Sequence, residues 1–132
     1  MRLEQVHTTP DPYVPYLLSQ AIKVGGLVYV SGQAGVGGDG KIVGNGDFDK
    51  QADQAFRNLE RALTAGGSSL AKVIKVTIFL TSMSNFSKIV ELRRKWFTAP
   101  YPADTIVEVS ALYSPEAMVE IEAVAITADD AA

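Results

Sequence analysis

Three glutamates in the C-terminal third are the residues whose type and setting best suit chemistry. Glu108, Glu120 and Glu122 lie in stretches that are otherwise rich in apolar residues. A carboxyl group in surroundings of low polarity has a raised pKa, and it can then pass protons to and from a bound water. The alternative is structural, with these carboxylates in salt bridges across a subunit interface, for example to Lys75. The residues by themselves leave the two interpretations evenly matched.

Several other chemistries lack the residues they require. The chain has no cysteine and one histidine, His7, which excludes a thiolate nucleophile and a sulfur-ligated metal. A metal site would need carboxylates alone, and a Ser-His-Asp relay would have to recruit His7 from an N-terminal strand. Asp47 and Asp49 look like a metal pair, but they stand where a helix N-terminus favours acidic residues. We expect no metal site.

The glycine-rich stretch 35–46 contains near matches to GxGxxG and to the P-loop. Ile42 stands where a P-loop needs a hydroxyl group for Mg²⁺. The segment that begins at Lys41 does not open a helix whose N-terminus could hold a phosphate. We interpret this stretch as a flexible hairpin loop.

Charge and hydropathy limit the partners. The chain has 12 basic and 15 acidic residues, a net charge of -3, so no broad positive field favours nucleic acid. The short basic run at 93–95, beside Trp96, could suggest RNA binding, but basic residues at a helix C-terminus also complement the helix dipole, and we favour that interpretation. No segment approaches the roughly 20 apolar residues of a membrane span, and the N-terminus has no long apolar stretch. We expect a cytoplasmic location.

The pattern of apolar residues predicts one α+β domain over residues 1–132. One helix begins at Asp47 or Asp49 and stops at Gly66-Gly67, and a second begins at Ser84 and ends before Pro100. The predicted strands cover 3–7, 20–24, 27–33, 73–81, 105–110 and 119–126. This order favours a mixed sheet with both helices on one face.

The other face of the sheet is expected to lack helices. Alternation in the last strand separates Glu120 and Glu122 from its apolar residues, and in the central strand it separates Lys75, Thr77 and Phe79 from Ile74, Val76, Ile78 and Leu80. A face that mixes charge with aromatic residues suits a subunit interface. We predict a homo-oligomer with a small-molecule site at that interface, the alternative being a solvated sheet face.

Four stretches together resemble the RidA/YjgF family: SQAIKVGGLVYVSGQ, KVTIFLTSMSNF, PYPADTIVEV and VEIEAVA. The resemblance implies a chorismate-mutase-like α+β fold, a mixed six-stranded sheet with two helices on one face. It also implies a homotrimer built around the helix-free faces, with three clefts between subunits. The implied activity is hydrolysis of reactive imines and enamines to 2-keto acids and ammonia, without a metal or organic cofactor. Older labels for the family include endoribonuclease and translation inhibitor.

The resemblance also implies roles for particular residues. Glu120 matches the catalytic glutamate that orients or activates water, and Ser31 with Gly32 matches the segment that lines the cleft. Ile106 stands in place of the family's cysteine. The family's cleft tyrosine is expected at Tyr16, displaced by two residues, or its place is taken by Leu18.

Asp104 is the departure that matters most. In active members an arginine at this position holds the substrate carboxylate through a bidentate contact. Asp104 would repel a carboxylate, so the sequence predicts a hydrolase whose substrate is neutral or cationic rather than a 2-imino acid. The alternative is a trimer that binds a metabolite without converting it. Ribonuclease activity rests on the family label, and the net charge and the single histidine count against it.

Overall fold

The structure is a computed structural model that describes residues 2–127. Its longer elements are six strands and two α-helices. The strands are β1 (Leu3–Val6), β2 (Ala21–Val24), β3 (Leu27–Ala34), β4 (Val73–Leu80), β5 (Ala103–Glu108) and β6 (Val119–Ile126), and the helices are α1 (Phe48–Ala65) and α2 (Ile89–Trp96).

The strands form one mixed sheet in the order β1-β2-β3-β6-β4-β5. The β4 and β5 strands run parallel, and the other neighbours are antiparallel. The last strand of the chain therefore lies in the middle of the sheet, between β3 and β4, while β5 forms an edge. The predicted fold class, a mixed six-stranded sheet with two helices, is confirmed.

Helix α1 has the cap and the apolar face that the sequence predicts. The Asp47 carboxylate accepts a hydrogen bond from the backbone N–H of Lys50 at 3.1 Å, which satisfies one of the free donors of the first turn. The helix ends before Gly66, and Gly67 has a φ of 78°, a conformation that favours glycine. The buried face of α1 packs on β3 and β6.

Helix α2 is shorter than predicted. The helix expected from Ser84 is instead a 3₁₀ segment, Met83–Lys88, followed by α2. Trp96 stacks on Phe56 of α1 with ring centroids 5.4 Å apart and planes 4° apart. This stacking holds the two helices together on one face of the sheet.

The predicted division of side chains between the two faces is confirmed in β6, but Ile74 of β4 departs from it. The register of β4 on β6 shifts between Val73 and Lys75, so Ile74 is an extra residue in the strand. Ile74 is 46% exposed, whereas Val76 is fully buried. The alternation in β4 therefore begins at Lys75.

Two features of the N-terminal half are loops. The glycine-rich stretch is a hairpin loop, as predicted, closed by a bridge between Val36 and Ile42. The predicted first strand, 3–7, ends one residue early, at Val6. His7 lies outside β1, with its ring nitrogen Nδ1 3.1 Å from the Asp11 carboxylate.

Within residues 2–127, no helix combines the length and the apolar character needed to cross a membrane.

Candidate functional site

A bulge in β3 shapes the helix-free face. Val30 pairs with Ala123 and Gln33 with Ile121, so Ser31 and Gly32 together oppose the single residue between them on β6. The extra residue interrupts the ladder and turns the backbone, as bulges beside functional sites commonly do. The bulge brings the Gly32 backbone next to Glu120, the residue that follows Val119 at the start of β6.

The Glu120 carboxyl group lies directly against Gly32. A Cβ atom placed on Gly32 would be 2.2 Å from Oε1 of Glu120, so the position is open to the carboxyl group because residue 32 has no side chain. Burial raises the pKa of Glu120 above its ordinary value, and the neighbouring Glu122 carboxylate raises it further. Glu120 is therefore poised to exchange a proton closer to neutral pH than an exposed glutamate is.

Two tyrosines complete the surroundings of this carboxyl group. The Tyr13 hydroxyl donates a 2.5 Å hydrogen bond to the Gly32 carbonyl oxygen. Burial, and then the charge of Glu120, raises the pKa of the Tyr13 phenol. The pKa of Tyr113 is raised by burial first, with Tyr16 and Glu120 adding to the shift. Both phenols therefore stay protonated, and we call the group formed by Tyr13, Gly32, Tyr113 and Glu120 the Glu120 pocket.

Ser31 has a structural contact in this arrangement. Its hydroxyl donates to the carbonyl of Ser19 at 2.6 Å, and its backbone N–H donates to the carbonyl of Gln20 at 3.0 Å. These two bonds attach the bulge to the segment that enters β2. Ser31 therefore fixes the position of Gly32, its neighbour in the Glu120 pocket.

The structure places Tyr13, rather than Tyr16, against Gly32. Tyr16 is 67% exposed in the 3₁₀ segment Val14–Tyr16, and Leu18 is 43% exposed. Sequence reasoning missed Tyr13 because the segment contains the Pro-Tyr pair twice, at 12–13 and at 15–16, and the second pair was taken. Tyr113 was also missed, and a tyrosine in the turn before β6 carries no pattern that singles it out.

The other glutamates and Lys75 have different contacts. The Glu108 carboxylate accepts a hydrogen bond from the backbone N–H of Met83 at 2.7 Å, so it caps the 3₁₀ segment. The Lys75 ammonium donates to the Thr105 hydroxyl at 2.7 Å. Lys75 also lines a hollow of about 300 Å³ on the helix-free face, together with Ile22, Tyr29, Val30, Ser31, Thr77, Glu122, Ala123 and Val124.

Asp104 lies on the opposite face of the sheet from Glu120. It is in register with the buried Val76, and its Oδ2 accepts a 2.8 Å hydrogen bond from Nε of Arg93 on α2. Its Oδ1 is buried and has no hydrogen-bond partner among residues 2–127. Ile106, two residues further along the same strand, packs against the edge of the core.

One chain therefore brings together some of the predicted site residues and separates others. Ser31, Gly32 and Glu120 meet at the bulge, whereas Asp104 and Ile106 belong to the helix-covered face. Among residues 2–127, no three histidine or carboxylate side chains are grouped as metal ligands. What the Glu120 pocket offers is a carboxyl group with a raised pKa beside two phenols, one of which, Tyr13, already donates to Gly32, and this setting suits proton transfer.

Comparison with known proteins identifies the family. The sequence profile of the family described as Endoribonuclease L-PSP matches residues 6–127. The chain belongs to this family, also named Rid or YjgF. A 2-iminobutanoate/2-iminopropanoate deaminase of Dermatophagoides farinae is 34% identical to it over 125 residues, which cover 95% of each chain.

Two further Rid-family relatives agree with this assignment. Reactive Intermediate Deaminase A, chloroplastic, of Arabidopsis thaliana is 36% identical over 126 residues, covering 95% of this chain and 66% of the relative. A crystal structure of a Rid-family protein of unknown function from Yersinia pestis superposes with a TM-score of 0.88 at 35% identity, covering 96% of this chain and 100% of that one. The resemblance seen in the sequence is confirmed at the level of family and fold.

Proposed function

We propose that this Rid-family chain is a hydrolytic deaminase of a small imine or enamine, with Glu120 as the group that moves the proton. The observation that carries the proposal is the Glu120 carboxyl group, which rests on Gly32 with a pKa raised by burial. A general base works best when its pKa lies near the working pH. The relative named as a deaminase of two imines supports the same reaction class.

The reaction requires one water and one proton relay. The Glu120 carboxylate takes a proton from water as the oxygen adds to the carbon of the C=N bond, and the protonated Glu120 then gives that proton to the nitrogen. The carbinolamine then loses ammonia as its C–N bond breaks and the carbonyl forms, so imine and water become ketone and ammonia. The protonated Tyr113 is a hydrogen-bond donor for the reacting oxygen, while the Tyr13 hydroxyl holds the Gly32 carbonyl in place.

The proposal includes a trimer with clefts between subunits and a cytoplasmic location. The Glu120 pocket and the Asp104 side chain of β5 lie on opposite faces of one sheet. A cleft that contains both therefore needs a second copy of the chain. A helix-free face with Tyr29 48% exposed supports such an interface. Light scattering at micromolar concentration should give three times the mass of the 14.1 kDa chain, and a monomer would contradict this part of the proposal.

The second candidate is a trimer that binds a metabolite without converting it. The observation in its favour is Asp104, at the position where the resemblance expects an arginine. The sequence also predicted that Asp104 would repel a 2-imino acid. That prediction assumed an unpaired carboxylate, and the contact with Arg93 removes this assumption.

An assay with imines made in situ separates the two candidates. A dehydratase acting on serine or threonine supplies 2-aminoacrylate or 2-iminobutanoate, and keto-acid release is followed with and without the protein. We expect acceleration above the rate in water, and Glu120→Gln should lose about 10²- to 10⁴-fold of it. The control is Glu60→Gln, since Glu60 is exposed on α1.

The possible failures have different meanings. No acceleration by the wild-type protein would exclude this deaminase activity and favour the binding protein. Acceleration that Glu120→Gln retains in full would keep the enzyme but reject Glu120 as its proton-transfer group.

A further inference from the structure

We propose that this chain has a second small-molecule site, beside helix α1, which binds a small neutral amide. The site is a cavity of about 230 Å³ between α1, the glycine-rich loop and the proline-containing segment that precedes β2. We call it the amide cavity, and beneath the glycine-rich loop its walls are Pro10, Pro12, Gln20, Gln33, Asn58 and Arg61. It shares no residue with the Glu120 pocket.

The first argument concerns the amide side chains that are buried in the described part of the chain. Two of them have a partner for both polar atoms. Gln51 donates through Nε2 to the Gly44 and Glu116 carbonyls, and its Oε1 accepts from a backbone N–H. Asn58 donates through Nδ2 to the carbonyls at positions 34 and 36, and its Oδ1 also accepts. These paired amides stabilise the fold and leave no donor for a ligand.

Gln20 and Gln33 differ, because each leaves one polar atom of its amide unpaired although each residue is only 2% exposed. Nε2 of Gln33 donates to the Ser31 carbonyl at 2.9 Å, and within residues 2–127 nothing donates to its Oε1. Oε1 of Gln20 lies 2.5 Å from the Thr8 hydroxyl, and its Nε2 donates to no atom of the same range. An unpaired polar atom in a buried side chain is unfavourable, so a ligand that pairs with it is favoured.

The two unpaired atoms define the chemistry of the ligand. Oε1 of Gln33 needs a donor, and Nε2 of Gln20 needs an acceptor. The backbone N–H of Ser31 donates to the Gln20 carbonyl at 3.0 Å, so Gln33 lies diagonally across from Gln20, within reach of one ligand between them. A cyclic amide, or lactam, carries its N–H and C=O groups side by side and presents both. We therefore infer an amide as the ligand class.

Size and charge limit this ligand to a small neutral molecule. A water molecule takes about 30 Å³ of the liquid, so the cavity is larger than one bridging water needs, yet it is below the roughly 300–1,000 Å³ of pockets for drug-sized ligands. Asp39 and Arg61, both exposed, are its charged lining residues and have opposite signs. Arg61 also donates to the Thr9 carbonyl, at 3.4 Å. Pro10 and Pro12 offer apolar surface for the ring of a lactam.

Two compounds that differ by one methyl group test the proposal. Pyrrolidin-2-one has the N–H group, and N-methylpyrrolidin-2-one lacks it but keeps the carbonyl. Each is titrated into the full-length protein and followed by NMR, which detects the weak affinity expected of so small a ligand. The wild type should bind the lactam about tenfold more tightly than its N-methyl analogue, with shifts at Gln20, Gln33 and the glycine-rich loop. Gln33→Met should remove this difference.

Control variants separate the amide cavity from the rest of the molecule. Gln5→Met removes an exposed glutamine of β1 and should bind the lactam as the wild type does. Glu120→Gln changes the Glu120 pocket and should also leave the affinity unchanged. Asp39→Asn and Arg61→Gln should each change it by less than about twofold, because the ligand is neutral and these charges are exposed.

The proposal is overturned if the wild type does not bind the lactam, in which case water fills the cavity. Equal binding of the two compounds, or shifts centred on Gly32 and Glu120, would also overturn it. Loss of binding in Arg61→Gln would reject a neutral ligand. If Gln33→Met does not fold, Gln20→Met takes its place, and the comparison of the two compounds in the wild type still decides. None of these measurements involves turnover, so they are independent of the imine assay.

Discussion

Glu120 and Asp104 are carboxyl groups on two faces of one sheet, and the fold treats them in opposite ways. In residues 2–127, no ion pair or hydrogen bond involves the Glu120 carboxyl group, and burial raises its pKa. Asp104 is also mostly buried, but it has Arg93 as a partner at 2.8 Å. Burial disfavours the negative charge of the Glu120 carboxylate, whereas the positive charge of Arg93 balances that of Asp104.

This difference has a simple structural origin. The helix-covered face brings α2, with three consecutive basic residues at 93–95, over the edge strand β5. On the helix-free face, Glu120 meets a glycine backbone, two phenols and another glutamate. These surroundings agree with the proton transfer proposed for Glu120 and with the charge pairing seen at Asp104.

The largest expected effect comes from filling the space beside Glu120. In Gly32→Ala the new methyl carbon would lie 2.2 Å from Oε1, so the carboxyl group must move. A displacement of about 1 Å can lower activity about 10²-fold, and we expect that loss in the imine assay. Gly38→Ala is the matched control, because nothing lies within 4 Å of a Cβ atom there. Full activity in Gly32→Ala would show that the position of this carboxyl group is not critical.

A smaller effect is expected from breaking the ion pair. Arg93→Gln leaves the mostly buried Asp104 without its cation and should lower the free energy of unfolding by about 1–3 kcal/mol. Adding Asp104→Asn should restore most of that loss, since the uncompensated charge is gone. Arg94→Gln should change stability by less than about 0.5 kcal/mol. Denaturant unfolding measures all four proteins, and equal stability of Arg93→Gln and the wild type would contradict a compensating pair.

The fold could be predicted in large part because its signals are local. The neighbouring strands predicted at 20–24 and 27–33, the Asp47 cap and the alternation in β6 each depend on residues close in sequence, and each is found in the structure. The errors lie where tertiary contacts decide. The bulge that exposes Ile74 and the 3₁₀ start of the second helix leave no pattern in the apolar residues.

The site was only partly predictable for the same reason. Glu120, Ser31 and Gly32 lie on strands whose register follows from alternation, and the structure brings them together. Tyr13 comes from the segment between β1 and β2, whose path the pattern of apolar residues does not determine, so its contact with Gly32 was not foreseen. The Arg93 contact with Asp104 joins a helix face to a strand edge, and the packing angle that creates it cannot be seen in the sequence.

The smallest predicted effect is a pH-dependent difference in stability at Glu120. Because its folded pKa is raised, ionisation of Glu120 disfavours the folded state. Below about pH 3, the carboxyl group is protonated in the folded and unfolded chains, so the wild type and Glu120→Gln should melt at the same temperature. As pH rises through the folded pKa, the wild type should become less stable than Glu120→Gln. Thermal melts from about pH 3 to pH 8 at one protein concentration measure this gap, with Glu60→Gln, a variant of an exposed glutamate, as the control. A gap that is constant, or that favours the wild type at neutral pH, would mean that Glu120 gains a cationic partner in the assembled protein and resembles Asp104 after all.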